Sequence, residues 1–353
     1  MALSQVGLER LNTATTKKIG TNKNLIINGA MQVAQRGTSS TTSNDFAVDR
    51  FKHNFSGTNE APTFAQVDVG SSDLPFTKGL TKALKVTNGN QTSGAGTADR
   101  IRVEHIIEAQ NIRNSGWNYT SSSSYITLSF YVKSSVAQNF YGRLASNDGT
   151  AQSYIFETGS LTADSWTKIT KTVPGNSNIT INNDNGIGLI FNITLFGGTD
   201  QTGTVTLNQW AAFNSSIRSP DYTSTWYTTN DATFEITGVQ LEVGSVATDF
   251  EHRSFAQELA LCQRYYQVVR ASLRNDYRTD QVATFGNGTQ LYCEMRATPT
   301  ATTVTSVATQ DVSSVGYGYL SNKGFMISGT GIVTSGGTAA QQAVRDVGLT
   351  AEL

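Results

Sequence analysis

Charge is scarce in this chain. Only 15% of its 353 residues are Asp, Glu, Lys or Arg, with 26 basic side chains against 27 acidic ones. No basic surplus exists to track a phosphate backbone, which argues against nucleic acid as a partner. Apolar runs are short too. None approaches the roughly 20 residues that span a bilayer as a helix, so membrane insertion is not expected. The opening Met-Ala-Leu-Ser-Gln-Val-Gly-Leu-Glu-Arg carries no secretory apolar core. Two cysteines, Cys262 and Cys293, are too few for a disulfide framework. All of this fits synthesis in a cytoplasm.

Signatures of chemistry are equally thin. His53, His105 and His252 are the only three histidines. None lies in a His-Glu-x-x-His pattern, and no His/Cys cluster has zinc spacing. Gly329-Thr330-Gly331 is far from a dinucleotide fingerprint, and no Gly-x-Ser-x-Gly elbow occurs. Glu104 and Glu108 are close in sequence, but residues four apart on a strand share a face at roughly 13 Å. That is too wide for a retaining glycosidase pair and somewhat wide for an inverting one. Solvated strand carboxylates are the simpler reading, and no enzyme is expected. A depolymerase site built from distant residues or from two chains stays open.

Ser, Thr, Asn and Gly are abundant instead, which favours strands and turns over surface helices. The length exceeds one ordinary core, so two domains and a tail are expected. Residues 1–23 are polar after a short Leu3–Leu11 patch, and read either as a frayed terminus or as a peptide that orders on a partner.

Residues 24–250 read as short strands separated by turns. Strands are expected over 24–30, 46–55, 83–86, 100–107, 125–133, 138–144, 153–156, 166–173, 188–196, 203–213 and 234–243. Within 125–133, Ile126, Leu128, Phe130 and Val132 form the expected core face. Trp166 and Trp210 fall inside strand patterns and read as core. The pattern predicts an all-β protein: an antiparallel jelly-roll β-sandwich followed by a short helix and a smaller C-terminal β domain.

The helix is marked in 251–266. Ser254 and Gln257 form a capping-box pattern, and Phe255, Leu259 and Cys262 form an apolar stripe, so a reduced core thiol is expected at Cys262. Beyond it, 267–353 is expected to hold a hairpin around Gly286-Asn287-Gly288, an apolar cluster at Phe325, Met326 and Ile327, and a terminal strand over 344–349. So small a core predicts burial against further copies.

Aromatic residues in polar loops are the candidate ligand surface. Trp117 and Tyr119 follow Asn114-Ser115-Gly116, and Trp226 and Tyr227 lie in the Ser/Thr/Asn-rich loop 224–231. Such rings suit the C–H faces of sugars. The alternative is packing over the sandwich edge or on a neighbouring subunit.

Several segments together resemble bacteriophage tail-fibre and related virion appendage proteins, whose sandwich domains are similar to carbohydrate-binding modules. They are residues 24–37, Ala47-Val48-Asp49-Arg50-Phe51 (where the family often has Trp at the last position), 125–134, Trp166 with Val173-Pro174-Gly175, 234–244, the junction 238–266, and 295–300. The resemblance covers about residues 24–300. It implies a virion structural protein, commonly homotrimeric, assembled in the host cytoplasm. Residues 1–23 would then contact other virion proteins, and the sandwich a host-surface glycan. A head decoration or connector, and a depolymerase tailspike, remain alternatives. Such sandwiches often hold a structural calcium; Asn183-Asp184-Asn185-Gly186 reads more simply as a turn.

Overall fold

The computed structural model describes residues 23–275, 284–332 and 341–353. The expected N-terminal peptide, apart from Lys23, lies outside the described residues. The fold class expected from the sequence is found. Strands in chain order are β1 (Ser39–Ser40), β2 (Phe51–Ser56), β3 (Thr63–Asp68), β4 (Lys82–Thr87), β5 (Arg100–Glu108), β6 (Tyr125–Ser134), β7 (Asn139–Ser146), β8 (Gln152–Ser160), β9 (Thr167–Pro174), β10 (Ile187–Gly197), β11 (Trp210–Ala212) and β12 (Thr233–Val243). They form two six-stranded antiparallel sheets, ordered β1-β3-β4-β12-β6-β9 and β11-β8-β7-β10-β5-β2.

Side-chain alternation explains why the sheets face each other. On β6, Ile126, Leu128, Phe130 and Val132 are fully buried, as expected from their period of two. On the opposing sheet Phe140, Leu144, Phe191, Ile193 and Val103 point into the same core. Phe130 lies between Phe156 and Phe191, with ring centroids at 6.4 and 5.7 Å.

Three expected strands are corrected. Residues 24–30 form none: Leu25 N donates to Leu241 O (2.9 Å) and Val239 N to Gly29 O (2.9 Å), beside a bulge in β12. Isolated bonds to a bulged neighbour do not extend into a ladder. At that bulge Gly238 has φ +63°, and a Cβ there would sit 2.5 Å from the Leu80 side chain. The 46–55 segment pairs only from Phe51 onward, and 203–213 reduces to the three residues of β11.

Of two short helices, α1 (Ala109–Arg113) packs on β5 and β10 and α2 (Thr225–Thr228) on β10, and α3 (Phe255–Gln263) follows the sandwich. The capping box on α3 is present: Ser254 N donates to Gln257 Oε1 (3.0 Å) and Gln257 N to Ser254 Oγ (3.3 Å). Cys262 is a buried free thiol, but Phe255 is 58% exposed, so the apolar stripe narrows to Leu259 and Cys262.

Beyond α3 run β13 (Tyr266–Asn275), β14 (Thr284–Gln290), β15 (Thr300–Gln310), β16 (Val312–Gly318), β17 (Gly324–Gly331) and β18 (Gln341–Thr350). They form sheets β13-β18-β15 and β14-β17-β16 around Leu273, Phe325, Ile327, Val347 and Leu349. The hairpin expected at Gly286-Asn287-Gly288 is not made. These residues run straight through β14 and pair with β17, so the glycines thin a strand instead of turning it.

Candidate functional site

The four tryptophans exchange the places expected of them. Trp226 and Tyr227 are 0% and 1% exposed. They sit on α2, whose start is held by Gln138 Oε1, accepting from Thr225 N (2.9 Å) and Trp226 N (3.0 Å). Its end is held by Asn88 Nδ2, donating to Tyr227 O (2.7 Å). Tyr227 stacks on Phe196 at 3.7 Å and donates to Asp99 (2.8 Å), and burial pushes its hydroxyl above the ordinary tyrosine range. Trp117 is 3% exposed. None of these three rings has a face free for a sugar, which corrects the ligand surface expected from the sequence. Tyr119 is half-buried beside Arg113.

Trp210 and Trp166, expected in the core, are only half-buried. Trp166 lies on the outer face of the first sheet with its N–H on Asp73 (2.9 Å). That face bears a cleft of about 580 Å³ between Tyr131, Phe250 and His252, but Tyr131 is only 6% exposed and Lys168 lies over its ring.

Trp210 is better placed. β11 adds to the edge of β8, pairing Trp210 with Tyr154, and the two rings meet at 5.5 Å. Its indole N–H donates to Pro174 O (2.7 Å) at the end of β9, in the other sheet. The ring thus bridges the edge strands of both sheets, in a fixed orientation. It lines an open cleft of about 500 Å³ with Thr150, Gln152, Ser177, Asn178 and Thr180. Ser177, Asn178 and Thr180 are exposed, so neutral amide and hydroxyl groups surround one aromatic face.

The loop expected to bind ligand supports this cleft from behind. Asn176 N donates to Tyr119 O (2.8 Å) and Gly175 N to Ser124 O (2.8 Å). A Cβ at Gly175 would meet Ser121 O at 2.5 Å, so only glycine lets the turn before Ser177 approach so closely.

Glu108 is 0% exposed and holds Arg264 in a two-pronged pair. Glu104 faces outward on β5, where Asn192 Nδ2 donates to it (3.0 Å). Among the described residues, no group of three or more His, Cys, Asp or Glu is placed to hold a metal ion. The 183–186 turn instead anchors its neighbours: Gln110 N donates to Asp184 O (2.9 Å) and Arg296 Nη1 to Asn185 O (2.6 Å).

No family model matches the chain, and no curated protein matches it. Solved structures do. The enzymatically active domain of bacteriophage CBA120 tailspike protein 4 matches at 8% identity and TM-score 0.33, over 63% of this chain and 22% of that one. A family 4 carbohydrate-binding module matches at 14% and 0.30, over 62% and 99%. The family 11 carbohydrate-binding module of Clostridium thermocellum, in complex with a mixed-linked tetrasaccharide, matches at 11% and 0.28, over 60% and 98%. The geometry defines an antiparallel β-sandwich with an aromatic cleft at one edge.

Proposed function

We propose that this chain is a non-enzymatic, glycan-binding subunit of a bacteriophage tail fibre or related surface appendage. The observation that carries the glycan part is the half-exposed Trp210 ring, held by Pro174 O and ringed by neutral hydrogen-bonding groups. A sugar places C–H groups on such a face while amides and hydroxyls take its own hydroxyls. The virion part rests on the sequence resemblance. In this reading the parts are the 1–23 peptide, which contacts other virion proteins, the 24–250 sandwich, the 251–266 linker and the 267–353 unit. Copies assemble as a homotrimer, so weak single sites gain avidity on a host surface. The protein resides in the virion after assembly in the host cytoplasm.

A glycan array probed with the wild type and Trp210→Ala tests the binding part. Retention of a defined set of glycans by the wild type, and its loss in the variant, is expected. An array on which both proteins bind nothing contradicts it.

A further inference from the structure

The outer face of the second sheet holds a concentration of positive charge that the near-neutral composition hides. The register there is a grid. Asn192 of β10 lies between Arg143 of β7 and Glu104 of β5, and Thr194 lies between Tyr141 and Arg102. The loop between β10 and α2 crosses above and adds Phe213 and Arg218. The Phe213 ring stands between two guanidiniums, 5.0 Å from Arg143 and 5.3 Å from Arg218.

Three arginines therefore share one carboxylate, Glu104, and among the described residues none of them pairs with it within 4.0 Å. Arg143 and Arg102 are each 4% exposed. Arg143 Nε and Nη1 and Arg102 Nε are buried without an acceptor. Arg102 spends one bond on Gln201 Oε1 (3.2 Å), and Arg218 one on Ser215 O (3.1 Å). Burial, and then the neighbouring Arg218, lowers Arg102 to about 9 and Arg143 to about 10. Clustered guanidiniums with unused donors are costly to keep unless something accepts from them. Their forked geometry matches an oxyanion.

The Trp210 cleft and the arginines lie on opposite faces of the second sheet, because Trp210 pairs with core-facing Tyr154 and Arg143 with outward Ile155. Arg143 is paired across the ladder with Ile155 of β8, and Ile155 lines a depression of about 240 Å³ with Ser153, Ala211 and Ala212. Ser153 Oγ is buried there without a partner. Ala211 and Ala212 also line the Trp210 cleft, so β11 is the wall between the two. Phe213, Arg218 and Glu104 are only half-buried, so the group of charges opens to solvent.

We infer that Arg102, Arg143 and Arg218 form a second, acidic-sugar subsite on the outer face of this sheet, taking the carboxylate of a saccharide. The inference rests on the glycan-binding reading and adds its selectivity: anionic over neutral saccharides.

The test is a glycan array carrying matched neutral, uronate-bearing and sialate-bearing oligosaccharides, followed by calorimetry on the tightest acidic binder. Wild type, Arg143→Met, Arg218→Gln and Trp210→Ala are compared, with circular dichroism as the folding check. Inorganic sulfate is the free-anion arm. Expected are an acidic glycan bound at least tenfold tighter than its neutral counterpart, weakening with salt, and at least a tenfold loss in Arg143→Met and Arg218→Gln. Arg218→Gln, at the half-exposed roof, keeps the test decisive if the buried variant fails to fold. Neutral binding that depends on Trp210 with no acidic preference overturns this inference and leaves the glycan reading standing. Acidic binding unchanged in folded arginine variants also overturns it. Sulfate bound more tightly than any acidic saccharide assigns the arginines to a free oxyanion and overturns the saccharide assignment. No saccharide bound at all sinks both readings.

Discussion

Arg264 grips Glu108 with two parallel hydrogen bonds, Nε to Oε1 at 2.9 Å and Nη2 to Oε2 at 3.0 Å. The pair joins the last residue of β5 to the end of α3, and so ties the sandwich to the chain that leads into the C-terminal sheets. The partners are unequal, since the Glu108 side chain is 0% exposed and that of Arg264 is 32% exposed. Removing Arg264 strands a buried carboxylate, whereas removing Glu108 leaves a cation that reaches water. Arg264→Met is therefore expected to cost about 3–5 kcal/mol, and Glu108→Gln clearly less. Urea unfolding of both variants checks the asymmetry.

Acid weakens this fold. Burial alone would raise the Glu108 carboxyl, but its bonds from Arg264 and Gln110 hold it below its ordinary 4.5. Its contribution is present above pH 4.5 and is lost as pH falls through the lower folded value. His53, buried against Phe64, is pushed down to about 4 from 6.5 by loss of solvent, so its contribution fades as pH falls from 6.5 to 4. Burial lowers His105 in the same direction, while burial raises Asp49 and opposes them at the acidic end. Stability measured against pH is expected to decline from about pH 6.5 downward. His53→Gln, which keeps an acceptor for Ala47 N, flattens the first part of that decline.

Arg143 sits where stability and binding conflict. Replacing a buried guanidinium that lacks acceptors with an apolar side chain of similar volume relieves an electrostatic cost. Arg143→Met is expected to unfold at the same or a higher temperature than the wild type in the absence of ligand. A loss of more than about 1 kcal/mol would mean that the contact with Phe213 dominates.

The α3 capping box is a local device and should behave as one. Ser254→Ala removes the acceptor of Gln257 N, and is expected to cost about 1 kcal/mol in denaturant unfolding.

The strands were legible where one face is buried. Ile126, Leu128, Phe130 and Val132 alternate with Thr127, Ser129 and Tyr131 because β6 is an interior strand with one face on the core, and the capping box is written in four consecutive residues. The binding surface was less legible because exposure depends on non-local partners. Trp226 resembles a loop aromatic until Gln138 and Asn88, 88 residues before it and 138 before, hold α2 over the core. Trp210 has a strand-like neighbourhood, but a three-residue edge strand leaves its ring at the sheet edge, half-buried. The arginines at 102, 143 and 218 meet only because β10 inserts between β5 and β7, an order no local pattern encodes.

The most direct test of the account is calorimetric titration of Trp210→Ala with the glycan the wild type binds best. Loss of the aromatic face is predicted to weaken binding at least tenfold, about 1.4 kcal/mol, with the thermal midpoint little changed. Undiminished affinity in a folded Trp210→Ala protein would contradict it.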